Sequence, residues 1–251
     1  MARRTEPPAS PRSAARRVRQ RIERGGERLW RFDDFPGLPP AALAQALSRL
    51  AHEGKLERLS KGVYYSPRQT VLGMSRPNPA AIRKLATTRD QPVFPAGIAA
   101  ANLLGFTTQS VGRSELSTSG YRLPRKLLGS DTVVHTRRPE AWKKLAETDA
   151  ALLDFLRRAG KPSELSPDDT VQRTLSLCRQ GGRFRRLLRV AATEPPRVRG
   201  MLGAIGAELG ERPTALKQLR DSLNPLSRFD FGMLRGLAHA KDWQAKRHTT
   251  Q

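Results

Sequence analysis

Residues 40–67 read PAALAQALSRLAHEGKLERLSKGVYYSP. A proline at the first turn, a run of strong helix formers and a glycine after His52 mark a helix from Pro40 to about His52. At 100 degrees per residue Leu43, Ala46, Leu47 and Leu50 fall on one side. Gln45, Ser48, Arg49 and His52 fall on the other. Beyond Gly54, Leu56–Leu59 and Val63–Tyr65 are short alternating segments joined by Ser60-Lys61-Gly62, the pattern of a β-hairpin. Alternation predicts one buried and one exposed ring for Tyr64 and Tyr65.

Upstream, Ser13 is placed to cap a helix from about Ala14 to Glu23 that ends at Gly25-Gly26. Ala14, Val18 and Ile22 form its inner stripe, and Arg16, Arg17, Arg19, Arg21 and Arg24 surround the rest. Leu29-Trp30-Arg31 reads as a short strand. Phe32-Asp33-Asp34-Phe35 reads as a brief second helix stopped by Pro36-Gly37. Helix, short helix, helix and basic hairpin in this order give a winged helix-turn-helix over residues 13–68. Residues 1–12, polar, basic and Pro-rich, are expected to lack fixed structure.

Pro67 and Arg76-Pro77-Asn78-Pro79 punctuate the exit, so 68–79 reads as a linker to a second domain at 80–245. Its first part, 80–137, is mixed: helices over Pro79–Thr87 and Ala96–Leu104, extended chain at Gln91–Phe94, Ser114–Thr118 and Thr132–Thr136. From 138 to 245 the spacing is helical. Trp142, Leu145, Ala146, Leu152, Leu153 and Leu156 make one stripe ending at Gly160, which Asp149 interrupts with a break or a wet turn. Helices follow at about Asp168–Arg179, Arg183–Thr193 and Pro196–Leu209. The fold class expected is α+β and mostly helical.

The chain has 251 residues, 46 Lys plus Arg against 23 Asp plus Glu, and a formal net charge of +23. Such an imbalance calls for a polyanionic partner. Nucleic acid is the leading one, because neutralising phosphates releases condensed counterions. A membrane is disfavoured: the longest apolar stretch, Ala96–Phe106, is too short to span one. Without a signal-peptide pattern a cytoplasmic protein is expected. Cys178, the single cysteine, excludes an internal disulfide and a cysteine-rich zinc site.

A helix that enters the major groove reads base edges. Gln45, Ser48, Arg49 and His52 are the residues placed to do so. Arg16, Arg17, Lys55, Arg58 and Lys61 are placed for phosphates, which position without specifying. Arg183, Arg185, Arg186, Arg189, Arg197 and Arg199 form a second basic concentration, with Glu194 the one acid among them. It reads either as a solvated helix face or as a second nucleic-acid patch. Catalytic residues, metal ligands and cofactors are not expected: His52, His135, His239 and His248 are scattered without an orienting carboxylate cluster, and Gly129-Ser130-Asp131 lacks a second carboxylate for a metal pair.

Three runs carry a family resemblance: FDDFPGLPPAALAQALSRLAHEGKLERLSKGVYYSP at 32–67, FPAGIAAANLLGFTTQ at 94–109, and PPRVRGMLGAIGAELG with SLNPLSRFDFG at 195–210 and 222–232. The chain resembles the AbiEi-type antitoxins of bacterial type IV toxin–antitoxin systems, a phage-defence family. The resemblance implies an N-terminal domain that represses its own operon at inverted repeats in double-stranded DNA, leaving a homodimer on the DNA open. It also implies a C-terminal domain that antagonises a nucleotidyltransferase-like toxin without a stable complex. The competing expectations are a winged-helix regulator whose C-terminal domain senses a ligand or dimerises, and an enzyme acting on nucleic acid.

Overall fold

The structure is a computed structural model that describes residues 11–71, 73–87, 91–109, 114–120, 128 and 132–246. The chain divides into two compact units with the main break between Ala86 and Thr87. The first holds the described residues from Pro11 to Ala86 together with Leu128; the second holds those from Thr87 to Gly120 and from Thr132 onward. Both helices and small sheets are present, an α+β architecture. Residues 1–10, Gly129-Ser130-Asp131 and His248 lie outside the described residues.

In the first unit the elements run α1 (Pro11–Gly25), β1 (Arg28–Arg31), a 3-10 turn (Phe32–Asp34), α2 (Pro40–His52), β2 (Glu57–Ser60) and β3 (Val63–Ser66). Helix α1 starts at Pro11, earlier than expected, so Ser13 lies within its first turn and is not its cap. Proline suits this place because its missing N–H has no intrahelical acceptor there. The expected second helix shrinks to the 3-10 turn. Asp34 accepts the Arg31 backbone N–H at 2.7 Å and pairs with Arg28 at 2.9 Å, which holds the segment tight.

The strands form an antiparallel sheet in the order β1-β3-β2, with Trp30 opposite Tyr64 and Leu29 opposite Tyr65. Trp30 and Tyr64 join Val18, Ile22, Phe35, Leu43, Leu47, Leu50 and Leu56 in one core under α1 and α2. The Trp30 ring lies where a side chain on Gly25 would stand, 2.4 Å from a Cβ there, so α1 must end on a residue without one. Gly54 and Gly62, with φ of +71° and +74°, take the left-handed turns after α2 and at the hairpin tip.

Tyr64 and Tyr65 are both buried, against expectation. Segment 68–79, expected as a linker, doubles back instead: β4 (Gln69–Thr70) pairs with β5 (Gly73–Met74). Ser75 Oγ accepts the Arg68 backbone N–H at 2.7 Å and lies 2.9 Å from the Tyr65 hydroxyl, which donates to Glu27 at 2.7 Å. The second face of the sheet is thereby covered. Helix α3 (Pro79–Ala86) also falls in the first unit, so the second begins later than residue 80.

The second unit opens with β6 (Val93–Pro95), α4 (Gly97–Leu103), β7 (Glu115–Thr118) and β8 (Val133–His135). Strand β7 pairs antiparallel with β6 and parallel with β8. After a 3-10 turn (Glu140–Lys144) come α5 (Glu147–Arg157), α6 (Pro167–Arg179), α7 (Arg183–Ala191), α8 (Pro196–Glu208) and α9 (Pro213–Asp221). Helix α9 follows Gly210, beyond the last helix that the spacing marked out.

Every residue of α5 from Asp149 to Leu156 is buried, so α5 is the axis around which this unit packs. The break expected at Asp149 falls earlier, at Leu145–Ala146, and the turn at Asp149 is dry. Three buried carboxylates are each met by arginine. Asp149 takes Arg183 at 3.0 Å and Arg186 at 2.6 Å. Asp154 takes Arg138 at 2.7 Å and Arg158 at 2.9 Å. Glu194 takes Arg157 at 2.7 Å and the Trp142 indole N–H at 2.7 Å. A buried carboxylate without such a partner would be expelled or protonated.

Removing Asp149 strands two guanidinium groups beside an apolar helix. Asp149→Ala is expected to lose about 3 kcal/mol, the lower end for a broken buried pair because Arg186 is partly exposed. Replacing all three charges at once, as Asp149→Leu, Arg183→Met and Arg186→Met, should recover most of the loss. Denaturant titration of the full-length variants checks both outcomes.

Candidate nucleic-acid interface

Helix α2 is pinned by Leu43, Ala46, Leu47 and Leu50, all buried in the first unit's core. With these residues inward, Gln45, Ser48, Arg49 and His52 are exposed on the other side. Neither Arg49 nor Gln45 has a partner among the described residues, so both keep their hydrogen-bonding capacity. The Leu50 carbonyl accepts the N–H groups of Lys55 and Leu56, and this turn launches the hairpin from the C-terminal end of α2.

On the hairpin Arg58 and Lys61 are exposed and unpaired among the described residues. Lys55 differs: its ammonium lies 3.4 Å from Glu53, whose other cation is Arg19 at 3.0 Å. A register shift between Arg58 and Ser60 bends β2 against β3. On α1, Arg16 and Arg17 are exposed and unpaired among the described residues, and so are Arg21 and Arg24, which the sequence placed on the outer side of the helix but not among the phosphate-binding residues. Their helical spacing from Arg17 was the signal that could have grouped them with it. The first unit thus presents a row of amide, hydroxyl and guanidinium donors on α2, flanked by cations free of acidic partners. Such a set can bond anionic oxygens and base edges alike.

The second basic concentration resolves differently. Arg183 and Arg186 are committed to Asp149, and each also donates to a backbone carbonyl, of Leu177 and Gly181 respectively. Arg197 donates to the Arg157 carbonyl, and Arg199 to the Ser222 carbonyl at 3.1 Å. Only Arg185 and Arg189 of the six are exposed without a partner among the described residues. A solvated face and a nucleic-acid patch are the two readings of the sequence; four of the six arginines are instead engaged within the fold. The neutralising acid, Asp149, lies far upstream in sequence and is brought in by the fold.

His135, expected to stand without a carboxylate, has one. The parallel β7–β8 register places Glu115 on the same face, with its Oε2 2.9 Å from His135 Nε2 and 2.7 Å from Arg158. Burial pushes the Glu115 carboxyl up, but the His135 hydrogen bond and the Arg158 charge outweigh it and hold the group below its ordinary range. A carboxylate so held is a poor proton acceptor near neutrality. Burial pushes the Cys178 thiol up to about 12, which leaves it unreactive. Among the described residues no group of three or more His, Cys, Asp or Glu could hold a metal ion. Nor is any described helix long and apolar enough to cross a membrane.

A model for a protein family of unknown function, DUF6088, matches residues 24–127, from the end of α1 across the break between the units. No curated protein matches the chain. Among solved structures, the chain is similar to the crystal structure of the RV2827C protein from Mycobacterium tuberculosis, with a TM-score of 0.52 at 18% identity over 87% of this chain and 86% of that one. At this identity the likeness is one of fold.

The clasp behind the sheet has a pH signature. Glu27 is held below its ordinary 4.5, first by the Tyr65 hydroxyl and then by Ser75. A carboxyl with a depressed folded value adds stability that is complete above the unfolded value and fades as pH falls through the folded one. Tyr65→Phe should therefore melt lower than wild type above pH 4.5, and the gap should narrow below it. Thermal melts of both proteins across that range read the effect.

Proposed function

We propose that this chain is a DNA-binding regulator, an antitoxin that represses its own toxin–antitoxin operon. The first unit acts as a winged helix-turn-helix in which the 3-10 turn stands in for the second helix. One observation carries the reading: α2 is backed by leucine and presents Gln45, Ser48, Arg49 and His52, while the acid that follows them, Glu53, is engaged by Arg19 and Lys55. Gln45 suits a bidentate bond to adenine, Arg49 a bidentate bond to guanine, and Ser48 either role. Arg16, Arg17, Arg58 and Lys61 take phosphates; Lys55 shares Glu53 and contributes less. No catalytic role is assigned.

The second unit is assigned the antagonism of a nucleotidyltransferase-like toxin on the strength of the AbiEi resemblance. A second reading makes it a ligand-sensing domain. In its favour is a cleft of about 620 Å3 whose lining includes Ala207, Leu216, Lys217, Arg220, His239 and Trp243, a size suited to a small molecule.

Gel shifts on the upstream DNA of the chain's own gene test the first reading. Gln45→Ala and Arg49→Ala should each lose about 1–3 kcal/mol of discrimination between operator and mismatched duplex. With roughly six phosphates neutralised, log affinity should fall against log salt with a slope of about −5. Unchanged sequence preference in both variants would remove α2 from the reading role. Rescue of growth on coexpression with a neighbouring nucleotidyltransferase-like gene supports the antitoxin role, and failure of rescue favours the sensing one.

A further inference from the structure

Helix α1 carries its arginines on two sides that differ in what they meet. Arg19 faces Glu53 and is neutralised at 3.0 Å. Arg17, Arg21 and Arg24, spaced four and three residues apart, share the other side with Gln20. Together with Phe35, Pro36 and Leu38 they line a groove of about 250 Å3. None of the three arginines has an acidic partner among the described residues, and the groove's lining contains no carboxylate. Like charges at these spacings oppose helix formation. The helix tolerates the repulsion although the fold has an acid to spare on its other side, where Glu23 lines a separate cleft with Arg19.

We infer that this groove is a second phosphate site, a rail for the sugar-phosphate backbone of the duplex whose major groove α2 enters. The inference rests on the DNA-binding reading, which already gives Arg17 to phosphate, and adds to it Arg21, Arg24 and the groove they share. Three features favour a duplex strand over a single anion. From Arg17 to Arg24 the row extends about 10 Å along the helix axis, several of the 3.4 Å axial steps that separate charges on one strand. The guanidinium groups offer forked donors suited to phosphate oxygens. The lining residues Phe35, Pro36 and Leu38 lead into Pro40, so the groove adjoins the N-terminal end of α2, while Lys55 and Arg58 leave from its C-terminal end. A reading helix of 13 residues, about 20 Å long, then has cations at both ends.

The test is anisotropy titration of a labelled random-sequence duplex at a series of salt concentrations, using the full-length protein. Arg21→Gln with Arg24→Gln removes two contacts, so the log–log slope should become shallower by about 1.8. The loss of affinity should be the same for operator and random duplex. Arg21→Lys with Arg24→Lys should keep most of the slope. Arg19→Gln, a charge lost from the other side of the same helix, should leave it nearly unchanged. These residues are exposed, and an unchanged thermal melt identifies variants that keep the fold. If wild type binds and the double glutamine variant keeps the full slope, the rail is overturned while the reading helix stands. If Arg19→Gln shifts the slope as much as the double variant, the effect is one of overall charge and the rail is likewise overturned. A wild type without salt-dependent duplex binding overturns both the rail and the reading it rests on.

Discussion

The pairing of arginine with carboxylate is the constraint that sorts this structure. With twice as many basic as acidic side chains, the fold cannot neutralise every cation, and where the acids are spent decides which surfaces stay positive. The second unit spends Asp149, Asp154 and Glu194 in its interior, each beside one or two guanidinium groups. Those arginines are bound within the fold, with Arg186 and Arg158 still partly exposed. In the first unit the acids are few and placed at edges: Glu53 holds Arg19 and Lys55, Asp34 holds Arg28, and Glu27 meets Tyr65 and Arg68. On the α2 face, the hairpin and one side of α1, Arg49, Arg58, Lys61, Arg17, Arg21 and Arg24 have no acidic partner among the described residues, although Glu57 lies on the hairpin. A contiguous unpaired set is where a polyanion gains most, because its phosphates displace only water and counterions.

Much of this was legible in the sequence because the signals were local. The Leu43-Ala46-Leu47-Leu50 stripe and the turn at Gly54 needed only helical and hairpin periodicity. The extended segments at β6, β7 and β8 and the helices near 167–208 followed from the same rules. What escaped notice depended on residues distant in the chain. Tyr65 is buried by Ser75 and its hairpin, which composition marked as a linker. Asp149 looked like an interruption in an apolar stripe because its partners, Arg183 and Arg186, lie more than thirty residues downstream. The same separation made the arginines of 183–199 look unanswered. His135 and Glu115 meet through parallel strand register, which no short window can reveal.

The two units carry different kinds of argument. For the first, chemistry and geometry converge on a surface whose donors have no internal use. For the second, the fold explains stability more fully than activity. Its axis, α5, is dry, and the polar groups around that axis are consumed by one another. The cleft lined by Leu216 and Trp243 is a place where a small molecule could act, and the toxin-directed role rests on family resemblance. Similarity of fold to a mycobacterial protein locates the chain among known architectures without assigning that role.

The central claim is that cations of the first unit, and not the arginine-rich helices of the second, hold nucleic acid. Arginine-selective labelling with a glyoxal reagent, read by peptide mass spectrometry with and without promoter duplex, addresses it directly. The account predicts that duplex protects Arg49, Arg58 and Arg17, while Arg185 and Arg189 label equally in both states. Protection of Arg185 and Arg189 with Arg49 and Arg58 still reactive would contradict it.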